Sequence, residues 1–117
     1  MSDIQRTNVA ARYSDVAVHQ GTIYLAGQIA DDPTQDIRGQ TAQVLATVDK
    51  LLQQHDSDKT RILQCVIYLS DISLFAGMND VWDNWVPKGS APPRATVEAR
   101  LFAPEYLVEM VVTAAQR

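Results

Sequence analysis

Cysteine, basic residues and long apolar runs are all scarce in this chain. Cys65 is the single cysteine among 117 residues, so no disulfide can form within the chain. Neither His19 nor His55 has metal-ligand spacing with it. No apolar run approaches the roughly 18 residues that a membrane helix needs, and the first residues lack the pattern of a secretory signal. We therefore expect a cytoplasmic protein without a membrane span and without a metal site.

The charge balance limits the expected partners. Ten Lys and Arg against 14 Asp and Glu give a formal net charge of −4. No dense cluster of basic residues is visible, so nucleic acid is not the expected partner. A protein that binds a small carboxylate needs one well-placed cation, not a basic surface. With 46% apolar and 21% charged residues, residues 1–117 have the composition and the length of one globular domain.

The apolar pattern predicts five strands and two helices. The strands alternate apolar and polar residues or are rich in β-branched ones, and they cover residues 16–19, 22–26, 62–69, 95–101 and 107–114. The helices repeat apolar residues at three-four spacing over residues 37–52 and 73–85. The resulting order, ββαβαββ, predicts an α+β sandwich with both helices on one face of the sheet. Residues 4–8 could form a further short strand ahead of this order.

The strand that begins near Arg94 carries the main candidate for a binding residue. Arg94, Thr96 and Glu98 alternate with apolar residues, so the period of two places them on one face. Two prolines precede the strand and keep its approach extended. A guanidinium presented in this way can hold a carboxylate through two parallel hydrogen bonds. On spacing alone, the alternative is a solvated or locally paired arginine. We expect the three polar residues on the sheet face that the helices leave open.

Four segments of the chain carry a family resemblance. They are residues 93–101 (PRATVEARL), 12–15 (RYSD), 21–28 (GTIYLAGQ) and 107–111 (LVEMV). With these segments the chain resembles the reactive intermediate deaminase family (Rid, formerly YjgF), whose members are small imine and enamine hydrolases. The first segment resembles the signature strand of the family. The second and third look like its Tyr-Ser motif and its later Ser/Ala-Gly-Gln segment, and the fourth is similar to its closing strand, which holds a glutamate. The order and spacing of these segments carry the resemblance over nearly the whole chain.

The resemblance implies a fold, an assembly and a reaction. The fold is a chorismate-mutase-like sandwich with a mixed, mostly antiparallel sheet, and the assembly is a homotrimer with ligand clefts between subunits. The reaction is the hydrolysis of small 2-imino or enamino acids, such as 2-iminobutanoate and 2-iminopropanoate, to 2-oxo acids and ammonia. The resemblance implies no cofactor. Water is the nucleophile, and the protein needs only to orient the substrate and move protons.

The resemblance also assigns roles to five residues of this chain. Arg94 binds the substrate carboxylate, and Glu109 positions the water that attacks the imine carbon. The Tyr13 hydroxyl, the Gly27 backbone and the backbone N–H of Thr96 contact the ligand. Three of these residues also have a structural alternative: a solvent-facing or paired strand residue for Glu109, a packed aromatic for Tyr13 and a strand bulge for Gly27.

Two departures from the family pattern put the substrate range in doubt. The well-studied branch of the family has a cysteine where this chain has Thr96, so a thiol role is excluded. The usual Gly-Pro before the Tyr-Ser pair is replaced by Ala11 and Arg12, which adds a cation near the expected cleft.

Two other functions are consistent with the sequence. A non-catalytic module of the same fold could use Arg94 to bind a metabolite carboxylate without turnover, and ammonia release would distinguish the two. An RNA-directed activity is associated with some relatives, but the acidic charge and the lack of basic or aromatic nucleic-acid surfaces argue against it.

Overall fold

Residues 3–117, which the computed structural model describes, form one six-stranded sheet with two helices against it. The strands, in chain order, are β1 (Gln5–Val9), β2 (Ser14–His19), β3 (Thr22–Leu25), β4 (Ile62–Leu69), β5 (Arg94–Glu98) and β6 (Val108–Ala115). The helices are α1 (Ile37–Gln54) and α2 (Phe75–Trp85). The predicted α+β class is confirmed. The suggested strand near residues 4–8 forms as β1, so the order is βββαβαββ, with one strand more than predicted.

The sheet is mixed and mostly antiparallel. Its strand order is β1-β2-β3-β6-β4-β5, and the β4–β5 pair is the parallel one. The turn between β2 and β3 contains Gln20 and Gly21, with φ of 51° and 79°. Positive φ at both central residues is typical of the tight hairpin that the Gln-Gly pair predicts. Strand β5 ends at Glu98, three residues earlier than predicted, and a loop leads from there to β6.

Capping and apolar spacing explain the helices. Helix α1 spans 18 residues, and the carboxylate of its N-cap Asp36 accepts a hydrogen bond from the N–H of Gly39 at 2.9 Å. Such a bond satisfies one of the free N–H groups at a helix start. A short 3-10 turn at Ile72–Leu74 leads into α2. The apolar faces of both helices pack on one face of the sheet and form the core with residues that include Val44, Val48, Leu52, Met78, Trp82, Ile23, Ile67, Met110 and Val112.

The predicted facing of β5 is wrong. In the parallel β4–β5 register, Arg94 is paired with Cys65, Thr96 with Ile67, and Glu98 with Leu69. All three β4 residues are buried beneath the helices, and paired residues share a sheet face, so the three polar residues lie on the helix side. Because β5 is an edge strand, the helix layer covers it only in part, and long polar side chains fit there. The polar residues of β5 do share one face, as their alternation predicts. Alternation alone does not show which face of a strand packs against the helices.

Candidate functional site

Arg94 lies in a polar and aromatic setting at the edge of the sheet. Its Nη1 donates a hydrogen bond to the side-chain oxygen of Asn79 at 2.8 Å. Its guanidinium carbon lies 5.0 Å from the ring centroid of Trp82 and 5.8 Å from that of Phe75, within the range of a cation–π interaction. Arg94 makes no ion pair within residues 3–117. These four residues, the arginine cluster, therefore hold a positive charge that no carboxylate neutralises.

The backbone at the start of β5 fixes the position of this arginine. The carbonyl of Pro93 accepts a hydrogen bond from the N–H of Cys65 at 3.0 Å, which joins the lead-in to β4. The Cys65 side chain is buried, and this burial raises the pKa of the thiol to about 12, against a smaller opposing effect of the Arg94 charge. The thiol is therefore protonated at neutral pH and does not act as a nucleophile there.

The other polar residues of β5 differ in what they contact. Thr96 is half-buried on the same face as Arg94. The Glu98 carboxylate accepts a hydrogen bond from the N–H of Ile72 at 2.9 Å. Glu98 thus helps to hold the 3-10 turn that precedes α2, the helix that carries the partners of Arg94.

Glu109 lies on the opposite, helix-free face of the sheet, where β6 places it beside Tyr68 of β4. A Cβ atom added to Gly27 would lie 2.2 Å from Oε2 of Glu109 and 2.9 Å from its Cδ. Only a residue without a side chain allows the carboxylate this position. Paired backbone bonds hold the segment there, because Gln28 and Met110 exchange N–H···O bonds of 2.8 and 3.0 Å. Glu109, Gly27 and Tyr68 form the glutamate cluster.

Two shallow depressions adjoin this cluster. One, of about 420 Å³, is lined by Glu109 and Tyr68 together with Arg100 and Phe102 of the β5–β6 loop. The other, of about 470 Å³, is lined by Gly27 and Tyr13. Tyr13 is 62% exposed at the turn between β1 and β2. A small ligand near Glu109 would therefore have Tyr13 and Gly27 on one side and the β5–β6 loop on the other.

The predicted site residues thus fall into two groups within one chain. Glu109 and Gly27 are in contact, and Tyr13 borders the same surface. Arg94 and Thr96 lie on the other side of the sheet. The sequence analysis missed Asn79 as a partner of Arg94, although it lies four residues after Phe75 and three before Trp82. That spacing puts all three on one face of a helix, but the sequence analysis used only the apolar residues of this segment.

Among residues 3–117, no group of three or more His, Cys, Asp or Glu side chains is placed to hold a metal ion. Within the same residues, neither helix has the length and apolarity to cross a membrane.

The fold is that of a small α+β protein of the type seen in several solved structures. A crystal structure of an uncharacterised Pseudomonas aeruginosa protein superposes with a TM-score of 0.95 at 45% sequence identity, over 97% of this chain and 99% of that one. A YjgF family member from Neisseria meningitidis also gives 0.95, at 43% identity over 98% and 96% of the two chains.

Sequence comparison gives the family. The profile described as Endoribonuclease L-PSP matches residues 3–116, and a RutC family protein of Haemophilus ducreyi is 46% identical over 96% of each chain. The chain belongs to this family of YjgF-like, or Rid, proteins, as its motifs predict.

Proposed function

We propose that this protein is a hydrolytic deaminase of small 2-imino and enamino acids. Water adds to the imine carbon, a proton is transferred to the nitrogen, and the C–N bond then breaks to release ammonia and leave a 2-oxo acid. The observation that carries the proposal is the pair of clusters: an oriented, unneutralised Arg94 for the substrate carboxylate, and a Glu109 carboxylate with room for water. Family membership supports the same function.

Arg94 is the proposed anchor of the substrate. Its planar head offers five N–H donors, and Asn79 takes one of them. The remaining donors suit a carboxylate, which two parallel bonds would hold at a fixed angle. A neighbouring backbone N–H, that of Thr96, is the proposed second contact to the carboxylate.

Glu109 is the proposed acid–base group. It makes no ion pair within residues 3–117, so its oxygens are available to a water molecule. A carboxylate can take a proton from the attacking water and return it to the nitrogen. Tyr13 and Gly27 are the proposed ligand contacts on the side of the site away from the β5–β6 loop.

The complete site, in this proposal, lies between subunits of a homotrimer. Arg94 sits on the helix side of an edge strand and Glu109 on the helix-free face, so one chain does not bring them together. The helix-free face also carries apolar residues that are half exposed, such as Tyr24 at 50% and Val97 at 42%. Docking the β5 edge of one copy on the helix-free face of the next would cover these residues and join the two clusters. A cytoplasmic location is part of the proposal.

Turnover of freshly generated 2-imino acids by wild type and Arg94→Lys tests the function. Lysine keeps the charge but cannot make the bidentate pair. We therefore expect kcat/KM to fall, by an amount that corresponds to a loss of roughly 2–4 kcal/mol of transition-state stabilisation. Arg38→Lys is the matched control, because Arg38 makes an exposed ion pair with Asp80. Near-normal deaminase activity in a folded Arg94→Lys protein would remove Arg94 from the mechanism.

The same assay separates catalysis from binding alone. A wild-type protein that binds a stable 2-oxo acid such as pyruvate but releases no ammonia from any imine would be a carboxylate-binding module. RNA cleavage, the activity in the description of the family profile, is not proposed here because the net charge is −4 and phosphate backbones are bound mainly by basic surfaces.

A further inference from the structure

Within residues 3–117, the hydrogen-bond acceptor and the ring contacts of the Arg94 guanidinium are neutral groups. Its hydrogen-bond acceptor is an amide, that of Asn79, and its ring contacts are Trp82 and Phe75. Other arginines of the chain are paired differently: Arg38 with Asp80, and Arg117 with Asp56 and Asp58. Asp80 directly follows Asn79 in α2, yet its carboxylate pairs with Arg38. The carboxylate next to Asn79 in the sequence is therefore paired with another arginine.

Neutral partners orient a guanidinium without cancelling its charge. An amide oxygen accepts one N–H bond and fixes the rotation of the head, whereas a carboxylate would also neutralise it. An aromatic face attracts the cation and restrains its plane. Trp82 is a firm support because it is only 5% exposed, and its ring packs against Trp85 at a centroid distance of 5.3 Å.

We propose that Asn79 and Trp82 are positioning residues, which hold the Arg94 guanidinium as an oriented and unneutralised cation for the carboxylate of the substrate. The inference rests on the proposed function, since it takes Arg94 as the carboxylate anchor. It adds that α2, and not β5 alone, sets the affinity for the substrate.

Asn79→Asp tests the need for a neutral acceptor. The aspartate keeps the size of the side chain and an acceptor oxygen, so a merely structural hydrogen bond would survive. We expect the melting temperature to stay the same or rise. The Kd for pyruvate and the KM for the imine should both rise about tenfold or more, because the new ion pair competes with the ligand, while kcat changes less.

Asn84→Asp is the matched control, because it adds the same charge to the same helix at an exposed position, where the Asn84 side-chain amide donates a hydrogen bond to the Asp80 carbonyl. Its Kd and KM should equal those of wild type. Wild-type affinity in Asn79→Asp would overturn the role of Asn79.

Restoration of ligand binding and activity by free guanidinium tests whether Trp82 helps to hold the cation. In Arg94→Ala, guanidinium chloride at low millimolar concentration should bind in the vacated place and restore part of the pyruvate binding and the imine turnover. No rescue is expected in Arg94→Ala/Trp82→Leu. Rescue that persists there would overturn the role of Trp82.

A titration of Arg94→Ala without substrate separates this inference from the proposed function. Guanidinium should shift the indole N–H resonance of Trp82 and leave that of Trp85, whose N–H donates to Asp49 at 2.9 Å, nearly unchanged. The titration needs no core substitution, so it is informative even if the double variant does not fold. Absence of guanidinium binding overturns the inference. Binding without imine turnover in wild type overturns only the proposed function.

Discussion

At the scale of single residues, the clearest constraint is the contact between Gly27 and Glu109. A glycine before Gln28 could serve a strand bulge or a close approach of the ligand, and sequence alone does not separate these. In the structure, the space that a side chain would take is occupied by the Glu109 carboxylate. The glycine is therefore tied to the position of the proposed acid–base group. Its predicted contact with the ligand stays a prediction.

Gly27→Ala should reduce activity far more than stability. The new methyl group would overlap Oε2 of Glu109, and the flexible carboxylate would have to move by about an ångström. A displacement of this size can cost on the order of a hundredfold in rate. Gly27 is exposed, so the free energy of unfolding should change by less than about 1 kcal/mol. Imine turnover and urea denaturation at one protein concentration would measure the two effects.

Gly21→Ala provides the opposite control. Gly21 has φ of 79° and open space around its missing Cβ, so alanine there meets backbone strain and no clash. Stability should fall by about 1 kcal/mol with turnover unchanged. If Gly27→Ala instead behaves like this control, the Gly27–Glu109 contact has no part in activity.

At the scale of elements, most of the fold could be predicted because each element carries its own period. Helix α1 and strands β4 and β6 follow from apolar spacing alone. The facing of β5 could not be predicted, since the same alternation fits either face at a partly covered edge. The hydrogen bond between Arg94 and Asn79 could not be predicted either. It depends on how α2 packs across the sheet, which the sequences of α2 and β5 do not show. The position of the β5–β6 loop depends on a buried residue, Gln40, that no motif indicates.

Gln40 of α1 joins the loop before this helix to the β5–β6 loop. Its Nε2 lies 3.0 Å or less from the carbonyl oxygens of Pro33, Gln35 and Glu105, and its Oε1 accepts the N–H of Leu107 at 2.9 Å. The side chain is fully buried. It therefore anchors the end of the β5–β6 loop two residues before Glu109.

Gln40→Ala should destabilise the protein by roughly 3 kcal/mol, because it leaves buried backbone groups without partners. Urea denaturation would measure the loss. The control is Gln43→Ala, one turn later in α1, where the side chain bonds the backbone of Asp32 at an exposed site; its cost should stay below about 1 kcal/mol. Equal costs for the two variants would show that Gln40 does not anchor the loop.

At the scale of the whole molecule, the sheet itself separates the two clusters. Arg94 and Glu109 lie on opposite faces, and β5 is an edge strand with one side unpaired within the described chain. A change of side-chain rotamer cannot carry either group through the sheet. Joint action of the two residues on one small substrate therefore requires a second copy, and closed rings of identical subunits provide such repeated contacts.

Mixed oligomers of two inactive variants test this arrangement. Arg94→Ala and Glu109→Gln should each be nearly inactive alone. If every site takes its arginine from one subunit and its glutamate from the next, random assembly of equal amounts leaves roughly one site in four with both residues intact. Co-refolding the two variants should thus recover about a quarter of wild-type activity, with light scattering giving a mass near three chains. Mixing Arg94→Ala with the double variant supplies the control, since no intact site can form there and no activity should return. A mixture of the single variants that stays as inactive as this control, despite forming mixed oligomers, would mean that both residues act within one subunit.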